Sequence, residues 1–343
     1  MIGERTLILA EGYSADAHYG KTMRGVARYR REDVVAILDS ERARATHEGI
    51  PVVATLEEAR AYAPEVALVG VATQGGRFPP AWRALLVECL EAGISIENGL
   101  HQFIRDDPEL APIAARTGAE LRDLRRPPDD LNVPTGRNLE LPTTNVLTVG
   151  SDCAIGKMTV MLELDRAARA RGLRSQFVPT GQTGIAIAGW GIAIDAVVAD
   201  FIAGACEQLL VEGHERGGEL LLVEGQGSLS HPAYSGVTLG LIHGSAPHAF
   251  VLCHKADTTE IDGYPGYPLL SLRALVELHE RIALPLRPAR VVCVAVNTAD
   301  LDDAAAAEAI AQAAAETGLP ADDPVRNGAD LLLDAVLRAV SVT

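Results

Sequence analysis

A chain of 343 residues is longer than one ordinary domain and is long enough for two, each with its own core. Apolar residues make up 48% and charged residues 22%, the balance of a soluble globular protein, and with only 4% aromatic residues the cores must consist of Ala, Val, Leu and Ile. The formal net charge of −16 argues against a nucleic acid or an anionic membrane as partner, because either requires a basic face.

The cysteine pattern and the N-terminus both indicate a cytoplasmic protein. Five cysteines are scattered along the chain without a CxxC or another metal-binding spacing, which is typical of reduced thiols. The apolar run near the N-terminus is too short for a signal peptide. No stretch approaches the roughly 18 apolar residues that a membrane-spanning helix needs.

The first third of the chain alternates short apolar segments with helical spacing. Buried strands are predicted at residues 6–10, 34–38, 66–71 and 94–97. Helices are predicted at residues 21–31, 56–63 and 81–92. Such alternation predicts a mostly parallel sheet that is covered by helices on both faces.

A connector separates this part from a second α/β unit. Residues 125–137 carry paired prolines and dense charge, so we place the boundary there and expect domains at 1–137 and 138–343. Further strands are predicted at residues 145–149, 175–178, 196–198, 219–223, 249–253 and 291–296. Further helices are predicted at residues 158–171, 201–212, 270–281, 304–317 and 328–340. The second unit is therefore a parallel α/β domain as well.

A glycine-rich loop follows the first strand of the second unit and predicts a phosphate site. Its residues are Gly150, Ser151, Asp152, Cys153, Ala154, Ile155, Gly156, Lys157, Met158 and Thr159. A standard P-loop is GxxxxGK[ST]; here five residues separate the glycines, and Met158 replaces the hydroxyl residue. The order strand, glycine loop and helix still favours phosphate binding over a plain turn, because loop amides and the helix N-terminus attract anions. Lys157 would reach terminal phosphates, and Thr159, or less directly Ser151, is left for Mg²⁺.

A second polar segment follows the strand at 219–223. Glu224, Gln226, Ser228 and His231 stand together at the predicted carboxyl end of a buried strand, where α/β sheets bind ligands. Glu224 suits a base or an Mg²⁺ ligand, and His231 suits an acid or base. The alternative is a glycine-rich turn with a solvated glutamate. The spacing of the histidines matches no metal-binding helix motif, so zinc is not expected.

Three further segments carry polar residues at predicted strand ends. Thr180, Gln182 and Thr183 suit a carboxylate or amide substrate, although an ordinary turn explains them equally well. Asp195 is a candidate metal ligand beside the predicted strand at 196–198. Residues 297–300, Asn-Thr-Ala-Asp, match the base-recognition motif NxxD of P-loop GTPases, a match that four residues also reach by chance.

With these motifs assembled, the chain resembles a specific family over essentially its whole length. The resemblance rests on GGRFPPAW and GLHQFIRDDPEL in the first half, and on GSDCAIGKMT, PTGQTGIAIAGWG, DAVVADFIAGACEQL, VEGQGSLSHPAYSGVTLGLIHGS and CHKA in the second. Members pair an N-terminal Rossmann-like domain with a P-loop domain similar to dethiobiotin synthetase, whose loop shares the five-residue spacing and the aspartate at the position of Asp152. The resemblance implies a D-glutamate N-acetyltransferase of the DgcN type that uses acetyl-CoA, with the cofactor phosphates in the glycine loop.

The first hypothesis is therefore acetyl transfer from acetyl-CoA to the amine of a D-glutamate-like amino acid. Glu224 or His231 would take the proton of the ammonium group, and Gln226 or the amides of residues 225–227 would stabilise the oxyanion. Thr180, Gln182, Thr183 and Ser228 would bind the substrate. We expect a small amino acid as the substrate partner and a homo-oligomer.

Two rival hypotheses remain open at this point. The first is an ATP-dependent ligase or kinase in which Thr159, Asp195 and Glu224 hold Mg²⁺. Met158 at the usual hydroxyl position stands against it. The second is a nucleotide-gated regulatory protein without turnover, which the dense polar set around Gln226 and His231 makes the weakest of the three.

Overall fold

The computed structural model of the chain describes residues 2–16 and 19–340. The chain forms two compact units, Met1–Pro127 with Gly181–Ala196, and Pro128–Thr180 with Val197–Thr343. This division differs from the expected boundary at residue 137 in two respects. The connector belongs mostly to the second unit, and a segment from the second half of the chain completes the first unit.

The first unit is built on a seven-stranded sheet. Its strands are β1 (Thr6–Leu9), β2 (Val34–Leu38), β3 (Thr46–His47), β4 (Ile50–Val53), β5 (Val66–Val69), β6 (Ser95–Asn98) and β7 (Leu121–Asp123). Their spatial order is β3-β4-β2-β1-β5-β6-β7, and every neighbouring pair is parallel except β3 with β4. The central strands β1 and β5 are buried along their whole length, which explains why they are continuous apolar runs.

Helices cover this sheet and supply the rest of the core. They are α1 (Lys21–Tyr29), α2 (Leu56–Arg60), α3 (Trp82–Glu91), α4 (Leu110–Thr117) and α7 (Gln182–Ala188). The helix α1 buries Met23, Val26 and Ala27 at helical spacing. The predicted strands and helices of the first third are confirmed. The short strands β3, β4 and β7 were not predicted, because β3 and β7 have no apolar run and β4 contains Pro51, which argues against a strand.

The second unit contains a six-stranded, fully parallel sheet. Its strands are β8 (Thr144–Gly150), β9 (Ser175–Val178), β10 (Leu220–Val223), β11 (Ala249–Lys255), β12 (Arg290–Asn297) and β13 (Ala321–Asp322). The spatial order is β13-β12-β11-β8-β10-β9. The strand that leads into the glycine loop, β8, thus lies between β11 and β10, and the predicted parallel α/β class is confirmed for both units.

The helices of the second unit include all five that were predicted. They are α5 (Arg137–Glu140), α6 (Lys157–Ala170), α8 (Ile202–Glu215), α9 (Ser235–Ser245), α10 (Leu272–Ile282), α11 (Asp303–Thr317) and α12 (Asp330–Val340). Ser271 and Asp302 cap α10 and α11 by accepting a backbone N–H of the first turn. Across the described part of the chain, no helix combines the length and apolar character that a membrane crossing requires.

Two predictions in this half were wrong. Residues 196–198 are not a strand; short 3₁₀ turns at Ile194–Ala196 and Ala199–Phe201 occupy this stretch, and the Val198 side chain is 67% exposed. Residues 182–184 belong to the helix α7 rather than to a loop. The helix α9 was missed because its glycines resemble a turn. A Cβ atom on Gly244 would lie 2.5 Å from the carbonyl oxygen of Ala203, so this glycine is needed for close packing on α8.

Candidate active site

The candidate site lies at the carboxyl edge of the second sheet. Gly150 at the end of β8 is paired in register with Cys253 of β11. Lys255 at the end of β11 is paired with Asn297 at the end of β12. The parallel arrangement therefore brings the glycine loop and the segments that follow β10, β11 and β12 to one edge, as expected for a ligand site in an α/β sheet.

The glycine loop turns sharply into α6. Gly156 has φ = +108°, a conformation that a residue with a side chain rarely adopts. Lys157 begins the helix, and its Nζ atom donates a hydrogen bond to the backbone carbonyl of Asp152, N···O 2.6 Å. Burial lowers the pKa of the Lys157 ammonium, and the negative charges of Asp152 and Glu224 act in the opposite direction. The loop therefore folds around a cation at the N-terminus of a 14-residue helix.

Neighbouring segments hold the loop from several sides. The Ser151 hydroxyl lies 3.0 Å from Nδ1 of His254, and burial lowers the pKa of this imidazole. Ser228, which is fully buried, donates from Oγ to the carbonyl of Ser151 at 3.3 Å. Oδ2 of Asp152 accepts the backbone N–H of Asp262 at 2.7 Å. These contacts fix the loop in one conformation, which favours a preorganised anion site.

Glu224 is the buried carboxylate next to this loop. Its side chain is 4% exposed, and Oε2 accepts the backbone N–H of Thr180 at 2.9 Å. The Thr180 hydroxyl donates to the backbone carbonyl of Glu224 at 2.7 Å and lies 3.3 Å from Nε2 of Gln226. A Cβ atom on Gly225 would lie 1.8 Å from the carbonyl oxygen of Thr148, so only glycine allows β10 to continue past β8 here. The carboxylate is thus held in a fixed position at the end of its strand.

His231 is enclosed by aromatic rings and is only 3% exposed. Tyr234 stacks on the imidazole at a centroid distance of 4.7 Å, and Tyr264 meets it edge-on at 5.2 Å. Nδ1 accepts the backbone N–H of Ala233 at 3.1 Å. In the neutral ring the proton must then be on Nε2, which faces Oδ1 of Asp152 at 4.0 Å. His231 therefore presents Nε2–H as a hydrogen-bond donor.

Asp152, Cys153 and His231 also form a group that has the composition of a metal site. One potential ligand atom of each lies within 4.8 Å of the others. A metal-bound imidazole normally donates its other ring N–H to an acceptor. Nδ1 of His231 instead faces an N–H donor, that of Ala233, so the observed ring position does not fit a metal on Nε2.

The structure brings most of the predicted site residues together. Residues 150–159, Thr180, Glu224, Gln226, Ser228 and His231 all belong to the second unit. Met158 and Thr159 are half-buried in the first turn of α6. Gln226 is half-buried, whereas Thr180 and Ser228 are completely enclosed. The last two therefore support the site rather than offer a free hydroxyl.

Three predicted residues belong to the first unit instead. Gln182 and Thr183 begin α7, and the Thr183 hydroxyl shares a hydrogen bond of 2.8 Å with that of Thr22. Asp195 forms an ion pair with Arg125. Its carboxylate is thus already paired with a guanidinium, and its role as a metal ligand stays a prediction.

The sequence analysis missed several residues of the site. Thr148 supplies the acceptor for the Gly225 N–H at 2.9 Å, and Ser230 lies 3.0 Å from Ser228. Asp262 and Tyr264 come from a segment between β11 and α10 that contacts the glycine loop and His231. The only signal for this segment was its sequence DGYPGYP, which resembles an ordinary loop.

Comparisons with known proteins match both halves of the chain. Residues 132–333 match the model of the P-loop domain of a family of unknown function, DUF1611, and residues 39–127 match the Rossmann-like N-terminal domain of DUF1611. A D-glutamate N-acetyltransferase from Tritonibacter scottomollicae is 41% identical over 287 residues, 82% of this chain and 84% of that protein. Another, from a Pseudoalteromonas species, is 36% identical over 78% of this chain and 79% of that protein. The crystal structure of a DUF1611 family protein from Anabaena variabilis has a TM-score of 0.92 at 41% identity, with 98% of this chain and 99% of that one covered.

Proposed function

This chain belongs to the DUF1611 family, and from that premise we propose that it transfers the acetyl group of acetyl-CoA to the amine of D-glutamate. It is an enzyme of the acyltransferase class, as its relatives named D-glutamate N-acetyltransferase are. The observation that carries the proposal is the pair of buried charges at the sheet edge, Glu224 beside Lys157. One suits proton removal and the other suits an anionic cofactor.

The glycine loop fits the phosphates of coenzyme A. Lys157 supplies one buried positive charge, and the first-turn amides of α6 supply hydrogen-bond donors with the favourable end of the helix dipole. When bound, acetyl-CoA supplies the acetyl group as a thioester. Binding the phosphates in this loop does not require a basic protein surface, which agrees with the net charge of −16.

Glu224 is the base that the geometry favours. The substrate ammonium must lose a proton before its nitrogen can attack the thioester carbonyl. A new C–N bond then forms, the C–S bond breaks, and the sulfur leaves as a thiolate that takes up a proton. His231 cannot take the first proton in its observed tautomer, because Nδ1 is occupied by the N–H of Ala233 and Nε2 carries the hydrogen. His231 is instead placed to donate a hydrogen bond from Nε2–H, which would suit the developing oxyanion.

Gln226 is the polar side chain that a substrate can reach. Its Nε2 has two hydrogens, and Thr180 Oγ1 accepts one of them. The second hydrogen remains for a substrate carboxylate or for the developing oxyanion. Roles for Gln182, Thr183 and Asp195 stay predictions.

The test is to follow acetyl transfer directly with the full chain. D-glutamate and acetyl-CoA should give N-acetylglutamate, detected by mass spectrometry, and one free thiol per product, detected with a thiol reagent. L-glutamate serves as the stereochemical control, and Mg-ATP replaces acetyl-CoA in a parallel reaction. Thiol release that does not depend on an amino acid would mean that acetyl-CoA is hydrolysed rather than used for transfer, and would end the proposal. D-glutamate-dependent ATP consumption without acetyl transfer would favour the ligase or kinase alternative instead.

A further inference from the structure

The helix α9 differs from the other helices of the second unit because it contains no Lys, Arg, Asp or Glu. The whole stretch from residue 225 to residue 254 lacks these residues, in a chain of which 22% is charged. At least one of them is present in each of α5, α6, α8, α10, α11 and α12. A helix without a charged side is normally buried all round. The outer side of α9 should therefore be covered.

Only one side of α9 is buried in the described structure. Leu241 and Ile242 are fully buried on that side. A Cβ atom on Gly240 would lie 2.3 Å from Cγ2 of Ile202, so α9 meets the beginning of α8 directly. Leu239, the neighbour of Gly240, is 36% exposed. The described part of the chain thus leaves the outer side of α9 open to solvent.

Two further large apolar side chains extend this open side. Val198 is 67% exposed and directly precedes the 3₁₀ turn at Ala199–Phe201, which contacts α9. Tyr234 is 52% exposed and directly precedes α9 itself. All of these residues belong to the second unit. The α9 face is defined here as Val198, Tyr234 and Leu239 together with the exposed Pro232 and Ala233.

The charge of the protein indicates what covers the α9 face. The net charge of −16 makes two copies repel each other, and it makes an anionic membrane repel the chain as well. A two-fold axis places the same patch on both sides of an interface, so a patch with charges of one sign would meet its own sign. The α9 face carries no formal charge, and for this reason it can contact a copy of itself without such repulsion.

The extent of the face also suits an interface between two copies. A stable dimer buries about 800 Å² on each partner, which is more than one side of a short helix provides. Val198 and residues 232–234 widen the face on either side of α9. The exposed Asp200 follows Val198 closely and lies at the edge, where interfaces are polar and solvated.

We propose that the α9 face is the interface of a homodimer with two-fold symmetry. Val198 and Leu239 form the apolar centre of this interface. Tyr234, whose ring stacks on His231 at 4.7 Å, places the interface next to the candidate active site of each copy. The inference concerns assembly and goes beyond the proposed function, because it uses none of the groups assigned to proton transfer or phosphate binding.

The experiment measures the mass of the full chain by sedimentation velocity from nanomolar to micromolar concentrations, with fluorescence detection at the lowest. The variants Val198→Glu and Leu239→Glu each place a carboxylate on the α9 face. Leu286→Glu is the matched control, because Leu286 is 81% exposed and lies after α10, outside the α9 face. Thermal unfolding of each variant shows that the fold is kept.

We expect the wild type and Leu286→Glu to sediment with twice the mass of the chain at micromolar concentration. Val198→Glu and Leu239→Glu should weaken the dimer about a hundredfold or more, because like charges then meet across the axis. In a tetramer, halving of the mass by these two variants supports the proposal equally.

Three results would overturn the proposal. The first is a wild type that is monomeric at every concentration, which would leave a different protein as the partner of the α9 face. The second is a dimer that Leu239→Glu leaves as tight as the wild type, which would place the interface elsewhere. The third is equal weakening by Leu286→Glu and Leu239→Glu, which would show that added negative charge alone separates the copies.

Discussion

The Nζ atom of Lys157 lies 2.6 Å from the backbone carbonyl oxygen of Asp152, so this lysine donates a hydrogen bond across its own loop. Only 6% of Lys157 is exposed, and burial lowers the pKa of its ammonium. A buried cation next to a carbonyl is costly unless a ligand needs it. Burial of the Lys157 ammonium therefore lowers the stability of the folded protein, and the same charge strengthens the binding of an anionic ligand.

The first prediction follows from this cost. Lys157→Met should weaken acetyl-CoA and pyrophosphate by about ten- to a hundredfold, because a charged hydrogen-bond donor is lost. The free energy of unfolding of the variant should stay within about 1 kcal/mol of the wild-type value, because removal of the buried charge offsets the lost hydrogen bond. Calorimetry and urea denaturation measure the two quantities, with the exposed Lys21→Met as control. A large loss of stability with retained affinity would contradict it.

The affinity of the wild-type enzyme should also depend on pH through this group. Because the folded-state pKa of Lys157 is below its ordinary value of 10.5, the ammonium loses its proton earlier as pH rises. Pyrophosphate binding should decline in the alkaline range before pH 10.5 is reached.

The second prediction concerns the approach of β10 to β8. In Gly225→Ala the new Cβ atom would lie 1.8 Å from the carbonyl oxygen of Thr148, which is backbone and cannot rotate away. We expect a loss of about 3 kcal/mol or more in the free energy of unfolding, or failure to fold. Gly236→Ala in α9 is the matched control, because no atom lies within 4 Å of its new Cβ. The free energy of unfolding of Gly236→Ala should stay within about 1 kcal/mol of the wild-type value. Similar urea midpoints for the two variants would contradict the strand geometry.

The sequence predicted those parts of the fold that depend on residues close together in the chain. The strands β5 and β10 are buried on both faces, so each is an uninterrupted apolar run, and β1 is apolar after Thr6. The glycine loop was visible because anion binding requires glycine, lysine and a following helix in direct succession.

Long-range contacts decided what the sequence could not predict. The helix α7 joins the first unit through contacts such as that of Thr183 with Thr22, 161 residues away, and no local pattern indicates this. Residues 196–198 are apolar enough for a strand but have no partner strand within the described residues. The contact of Tyr264 with His231 likewise depends on where a loop folds back. The predicted homo-oligomer stays a prediction.

The third prediction concerns His279, which is fully buried in α10. Nδ1 donates to the carbonyl of Leu275 at 2.7 Å, and Nε2 has no partner among the described residues. Burial lowers the pKa of His279 from 6.5 to about 4. As pH falls from 6.5 to 4 the unfolded chain takes up this proton first, so His279 should cost the wild type about 3 kcal/mol over that range.

His279→Leu should remove this dependence. Its free energy of unfolding should be equal to or above that of the wild type at pH 7, and its advantage should grow as the pH is lowered to 4. Urea denaturation across this range gives the difference at each pH. If the difference in free energy of unfolding between the two proteins is the same at every pH, His279 is not held in its neutral form.

The fourth prediction tests Glu224 as the base. Glu224→Gln keeps an oxygen for the Thr180 N–H but cannot take a proton from the substrate. We expect kcat to fall by about 10²- to 10⁴-fold with KM and the melting temperature nearly unchanged. A loss confined to KM would make Glu224 a binding group instead.

The fifth prediction separates His231 from Glu224. In His231→Asn the shorter side chain can still accept the N–H of Ala233, as asparagine does in turns, but it provides no imidazole proton. Because this variant loses the Nε2–H hydrogen bond but keeps Glu224 as the base, we expect kcat to fall about tenfold, less than in Glu224→Gln. If kcat falls as far as it does in Glu224→Gln, His231 takes the substrate proton in the working enzyme. The imidazole must then leave its contact with Ala233 when substrate binds, and Glu224 would act by orienting Thr180.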